Sequence, residues 1–171
     1  MGVHLGWYSF YGMLGKRSTY TVEEAKRKME GFCAYQERCH RETERKLQEM
    51  GMIPEAREVI LLHLMENGYL NEERFARSFA RGRFRLKQWG KERIRMELGQ
   101  REVSAYNIAR GLEEIPDEDY METMETLGRA KLESTRGEHP LKRKRKVADF
   151  LLRKGFESHL VYDFLQEMDR K

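Results

Sequence analysis

The sequence predicts an all-α fold: an elongated, curved array of three tandem three-helix repeats, nine helices in all. Three observations predict it. A short phrase recurs as Arg45-Lys46-Leu47-x-x-x-Gly51-Met52, Arg95-x-x-Leu98-x-x-x-Glu102-Val103 and Phe150-Leu151-x-x-x-Gly155-Phe156, with its leucines 51 and then 53 residues apart. Each copy is followed by a second apolar cluster, at Val59/Ile60/Leu64, Ile108/Leu112 and Val161/Leu165. From Thr21 onward apolar residues follow the helical period, and no stretch alternates with the period of two that a strand requires. A unit of about 50 residues buries too little core to stand alone, so neighbouring units must support one another. Stacked units usually offer a partner an extended surface in place of a closed catalytic pocket.

The elements follow in order. Thr21 caps a first helix whose opening turn carries Glu23 and Glu24, where acids complement the helix dipole, and which runs to about Gln36. A second starts near Cys39 or His40 and ends at Met50-Gly51. Pro54 suits the first turn of the third, which stops at Asn67-Gly68. Asn71 caps a long fourth helix reaching about Leu86, with Phe75, Ala76, Phe79 and Ala80 as its inward stripe. Trp89-Gly90 breaks the pattern before a short helix at Lys91–Leu98. Ser104 caps the sixth, to Glu114, and Pro116-Asp117 starts an acidic seventh through Leu132. After a loop at Ser134–His139, two helices at about 140–154 and 158–170 close the chain. Gly51 and Gly155 suit the left-handed cap conformation; Glu102 in the same place makes a poorer cap, so that junction is expected to be the least regular. The boundaries drawn from these breaks are an extension at 1–20, expected to be disordered, and repeats at 21–69, 70–115 and 116–171.

Charge distinguishes the units. The formal net charge is only +4, but Asn71–Arg101 holds ten Lys/Arg against four Glu, whereas Glu113–Glu125 holds seven acids and no base. Arg74, Arg77, Arg81 and Arg85 recur at helical spacing on one face of the fourth helix, and Arg83, Lys87, Lys91, Arg93 and Arg95 continue the charge past Trp89-Gly90. Glu73/Arg77 and Glu97/Arg101 are spaced as i,i+4 pairs; most of the other arginines have no evident local partner. Guanidinium groups bond carboxylates and phosphates bidentately, so an acidic protein groove or a phosphate backbone would fit this face. A second basic run, Lys142, Arg143, Lys144, Arg145 and Lys146, opens the eighth helix, where positive charge opposes the dipole.

Other chemistry finds little footing. Cys33 and Cys39 are too few for a disulfide framework and indicate a reducing, cytoplasmic setting. With His40 they supply three ligands at a spacing that no common zinc module uses, so they read as helix-packing thiols and no metal or other cofactor is expected. The first fifteen residues lack the features of a signal peptide and are too short to span a bilayer. No phosphate-binding loop or nucleophile motif is present, and His63 between Leu62 and Leu64 reads as a core-edge residue, so no catalytic residue is nominated.

The stretch Glu66-Asn67-Gly68-Tyr69-Leu70-Asn71-Glu72-Glu73-Arg74-Phe75-Ala76, then Trp89-Gly90-x-x-Arg93-Ile94-x-x-Glu97-Leu98, then Leu152-Arg153-Lys154-Gly155-Phe156, resembles the RecX family of bacterial recombination regulators. The wordings Cys33–His40 and Phe84–Gly90 are similar to its branch in Bacteroidetes. The resemblance covers residues 16–171. It implies three three-helix repeats and a non-enzymatic, monomeric protein that binds the RecA recombinase filament and restrains its ATPase and strand exchange, with some members also touching DNA. The basic residues above are then the expected contacts with filament or DNA. Thr43, where the other repeats have Ile94 and Val147, and Glu102, in place of the usual glycine, depart from the pattern, and residues 1–15 match nothing.

Overall fold

The computed structural model describes residues 20–169. The expected extension falls almost wholly outside them. Among the described residues there are nine helices and no strand: α1 (Val22–Tyr35), α2 (His40–Glu49), α3 (Pro54–Glu66), α4 (Glu72–Lys87), α5 (Lys91–Gly99), α6 (Ala105–Leu112), α7 (Asp117–Ser134), α8 (Pro140–Lys154) and α9 (Ser158–Asp169). Local chemistry accounts for three of the starts. Thr21 and Glu24 form a reciprocal capping box, Asn71 Oδ1 accepts from the Arg74 amide at 2.8 Å, and Ser104 Oγ accepts from the Asn107 amide at 3.2 Å. No described helix is long and apolar enough to cross a membrane.

The three copies of the repeated phrase close their helices in one way. The amides of Met52, Val103 and Phe156 donate to the carbonyls of Leu47, Leu98 and Leu151 at 3.1, 3.2 and 3.2 Å. Gly51, Glu102 and Gly155 all take positive φ, at 78°, 62° and 94°. The expected irregularity at Glu102 is therefore absent. Its turn is as regular as the others, because the fold-back that buries Val103 overrides the local preference of a glutamate.

The helices pack in threes, with the closest pairing between α4 and α6, where Gly111 sits against the backbone of Ala76. Leu47, Leu98 and Leu151 are fully buried, as are their partners one turn earlier, Thr43, Ile94 and Val147. Thr43 fits because its hydroxyl donates to the Cys39 carbonyl at 3.0 Å. Val59 departs from the expected core stripe. It is half exposed together with Leu62, while Ile60 and Leu64 carry the packing of α3.

The cores are distributed unevenly. Ala25, Met29, Cys33, Leu47, Ile60, Leu64 and Leu70 form one cluster within α1–α3 and the turn that follows. A second, continuous cluster runs from Phe75 to Leu165 through the remaining six helices, and Cys39 inserts into it from the first unit. Its centre is aromatic: Tyr120 lies 5.9 Å from Phe84 and 5.1 Å from Phe156, ring centre to ring centre. The second and third units thus share one core, and the first has its own. Both cysteines are buried, and burial pushes both thiols up from their ordinary value.

Candidate partner-binding surface

The basic face of α4 is not uniformly available. Arg74 pairs with Glu37 at 2.5 Å and donates to the Gly68 carbonyl at 2.9 Å, tying the start of α4 to the first unit. Arg77 bonds Glu73 at 2.9 Å and Glu114 at 2.7 Å, and Arg81 bonds the other oxygen of Glu114 at 3.0 Å. Lys91 reaches Asp117 at 2.7 Å. The acidic stretch that follows α6 thus answers the basic helix. Arg77 holds the Glu114 carboxyl below the usual carboxylate range chiefly by hydrogen bonding, and Lys91 does the same for Asp117. The carboxylates that answer Arg77 and Arg81 at Glu114 lie more than thirty residues away, so no local spacing in the sequence points to them.

The far end of α4 differs. Among the described residues no carboxylate lies within ion-pair distance of Arg83, Arg85, Lys87 or Arg93. The Arg83 guanidinium lies 5.2 Å from the centre of the Trp89 ring and that of Arg93 4.1 Å from it. Arg85 and Lys87 are exposed, and Arg95 is engaged locally by Glu92 at 2.9 Å. The third unit adds charge at this end. The Gly90 amide, at the start of α5, donates to the Lys154 carbonyl at 2.8 Å, and the Glu92 amide donates to the Gly155 carbonyl at 3.0 Å. The amide-rich start of α5 so meets the carbonyl-rich end of α8, an attractive alignment of helix dipoles. The docking brings Lys154, whose ammonium donates to the Lys87 carbonyl at 3.0 Å, and Arg153, whose carbonyl accepts from Arg93 at 3.3 Å, into the same cluster. Neither was singled out in the sequence, where they stand about sixty residues from Arg93. Their only signal there is the wording around Gly155.

The second basic run disperses. Lys142 and Lys146 converge on Glu138 at 3.8 and 2.6 Å, which offsets the adverse charge at the start of α8, and Arg143 donates to the Leu132 carbonyl at the end of α7 at 3.0 Å. Arg145 is exposed; it and Lys144 line a groove with Tyr162 and Asp149. His63 bonds Glu30 at 2.7 Å at the edge of the first core.

Comparison with known proteins places this architecture. The family description "RecX, second three-helix domain" matches residues 71–112, and "RecX, third three-helix domain" matches residues 117–165. A regulatory protein RecX of Oceanobacillus iheyensis is 28% identical over 81% of this chain. The match spans only 51% of that protein, so the chain covers about half its length, as it does for the Bacillus cytotoxicus relative at 54%. The regulatory protein RecX of Pseudomonas putida is 34% identical over 75% of this chain and 80% of its own. The crystal structure of RecX from Lactobacillus salivarius superposes with a TM-score of 0.79 at 20% identity, covering 88% of this chain and 97% of that one.

Proposed function

The chain belongs to the RecX family of regulatory proteins, and from that premise we propose that it is a non-enzymatic cytoplasmic regulator that binds the RecA recombinase filament on DNA and restrains its ATPase and strand exchange. The observation that carries the reading beyond the family is the unneutralised basic cluster at the end of α4, where Arg83, Arg85, Lys87 and Arg93 have no carboxylate partner among the described residues. Arg74, Arg77, Arg81 and Lys91 act one step back. Their partners fix the poses of α4 and α5, and their charge is largely answered within the chain. With 21–69, 70–115 and 116–171 as its repeats, a monomer spanning several filament subunits multiplies weak contacts through effective concentration. Bridged subunits are then held against the rearrangements that ATP turnover requires.

A direct contact with DNA is the second reading. It is favoured by Arg145, exposed beside the half-exposed ring of Tyr162, since a cation next to an open aromatic suits a nucleotide strand. Recombinase ATPase measured with wild type, Arg85→Ala/Lys87→Ala and Arg145→Ala/Tyr162→Ala separates the two. The reading above expects the first pair to lose most of the inhibition without a change in melting temperature, and the second pair to retain it. Full inhibition by the Arg85/Lys87 variant would remove the site, and no inhibition by wild type would remove the function.

A further inference from the structure

Beside the basic cluster, the outer face of α4 and the chain just after α1 enclose a groove of about 230 Å³, lined by Gln36, Phe75, Phe79, Arg83, Leu86 and Lys87. Leu86 is 82% exposed and stands between Arg85 and Lys87. The one carboxylate in the groove, Glu37, is taken by Arg74. Apolar floor and cationic rim are therefore both offered outward from the same turn of helix.

We propose that this groove docks an acidic polypeptide segment carrying one large apolar side chain, which packs against Leu86 while neighbouring carboxylates meet Arg83, Arg85 and Lys87. The inference rests on the reading above and names the chemistry of the partner contact. Charge complementarity selects an acidic occupant, and the groove's size admits a single side chain. A nucleotide strand fits less well. The aromatic rings here already carry guanidiniums, Arg83 over Phe79 at 4.8 Å, Arg101 over Phe79 at 5.0 Å, and Arg83 and Arg93 over Trp89, so a base finds no open ring on which to stack. A phosphate backbone also has no use for an exposed leucine. The rim extends to Lys154 through its bond to the Lys87 carbonyl, giving a longer acidic segment further contacts.

The test is fluorescence anisotropy of full-length protein with three labelled probes: a synthetic acidic peptide of Asp and Glu with one Phe, the same peptide with Ser for Phe, and an oligothymidylate of equal length. The expected result is preference for the Phe peptide. Leu86→Ser should weaken that peptide by about fivefold or more while leaving its salt dependence unchanged, and Arg85→Glu/Lys87→Glu should weaken it further and flatten the salt dependence. Equal binding of the two peptides, tighter binding of the oligonucleotide, or an unaffected Leu86→Ser variant would overturn the proposal. Both substitutions are at exposed positions, and unchanged melting confirms that the fold survives. Recombinase ATPase run in parallel separates the two levels. Inhibition by wild type that Leu86→Ser preserves in full refutes the groove and leaves the function standing, whereas a wild type that fails to inhibit refutes the function and leaves the peptide titration to judge the groove.

Discussion

Gly90 and Gly155 meet backbone to backbone: a methyl group on Gly90 would lie 2.1 Å from the carbonyl carbon and oxygen of Gly155 and 2.3 Å from the Phe156 nitrogen. This contact joins the second and third units, and two amide-to-carbonyl bonds cross it. Gly90 has φ −72°, which any residue adopts, so its requirement is one of space alone.

Gly90→Ala should therefore destabilise by about 3 kcal/mol or more, because the intruding methyl meets backbone and not a movable side chain. Gly51→Ala is the contrast. Its φ is +78° and nothing lies within 4 Å of the added carbon, so it should lose only about 1 kcal/mol from left-handed strain. Urea denaturation of both variants measures the difference. Equal losses would show that the 90/155 contact is looser than described.

Glu102→Gly should stabilise the protein by about 0.5–1 kcal/mol, the relief of left-handed strain less the added freedom of glycine in the unfolded chain. Glu102 is the repeat's one non-glycine at this position, at φ +62°. Its ion pair with Arg41, at 3.6 Å between largely exposed side chains, contributes little in return. A lowered urea midpoint would mean that this pair does more than screening permits.

Tyr120 is buried, accepts from the Lys91 amide at 2.9 Å and donates to the Glu157 carboxylate. Desolvation first, then the bond to Glu157, holds its phenol far above the ordinary value of 10.0. A group whose proton is held more tightly when folded contributes stability that is complete below its unfolded value and lost as pH rises through the folded one. Wild type should thus lose stability above about pH 10. Tyr120→Phe should be weaker by about 1–2 kcal/mol at neutral pH, since two partners lose their bond, and should show a shallower alkaline decline. Superimposable alkaline slopes would assign the effect to another group.

Several helix starts were legible in the sequence because they carry their own caps: Thr21, Asn71 and Ser104 act locally, within three residues of the amides they bond. The state of the basic face was not. Arg77 and Arg81 are neutralised by Glu114, which reaches them only through the α4/α6 packing, and Lys154 joins the surface only through the Gly90/Gly155 contact. Leu86 read as the end of a helix, and only the fold shows it facing a groove. Val59 misled for a different reason. α3 is apolar on two adjacent faces, and periodicity alone cannot tell which one finds a neighbour.

The separate core of the first unit leads to a prediction about salt. Besides Cys39, buried in the larger core, and Leu70, buried in the smaller one at the start of the second unit, polar contacts among the described residues tie the two units: Arg74 to Glu37, His40 to Glu72 at 3.3 Å, Arg101 to Glu42 at 3.7 Å, and Arg41 to Glu102 and to the Gln100 carbonyl. The partly exposed arginine–carboxylate pairs among them contribute about 0.2–1 kcal/mol each. They weaken as the screening length shortens from about 10 Å at 0.1 M salt to about 3 Å at 1 M. The aromatic weld between the second and third units has no such sensitivity, and apolar packing does not weaken with added salt. Native-state hydrogen exchange should show the amides of α1–α3 exchanging through a lower-energy opening than those of α4–α9, and the gap should widen between 0.1 and 1 M sodium chloride. Arg74→Ala should reproduce part of that widening at low salt, since it leaves Glu37 without its partner. Exchange of all nine helices through one common opening at both salt concentrations would show instead that Cys39 and its surroundings couple the two cores as firmly as Tyr120 couples the second unit to the third.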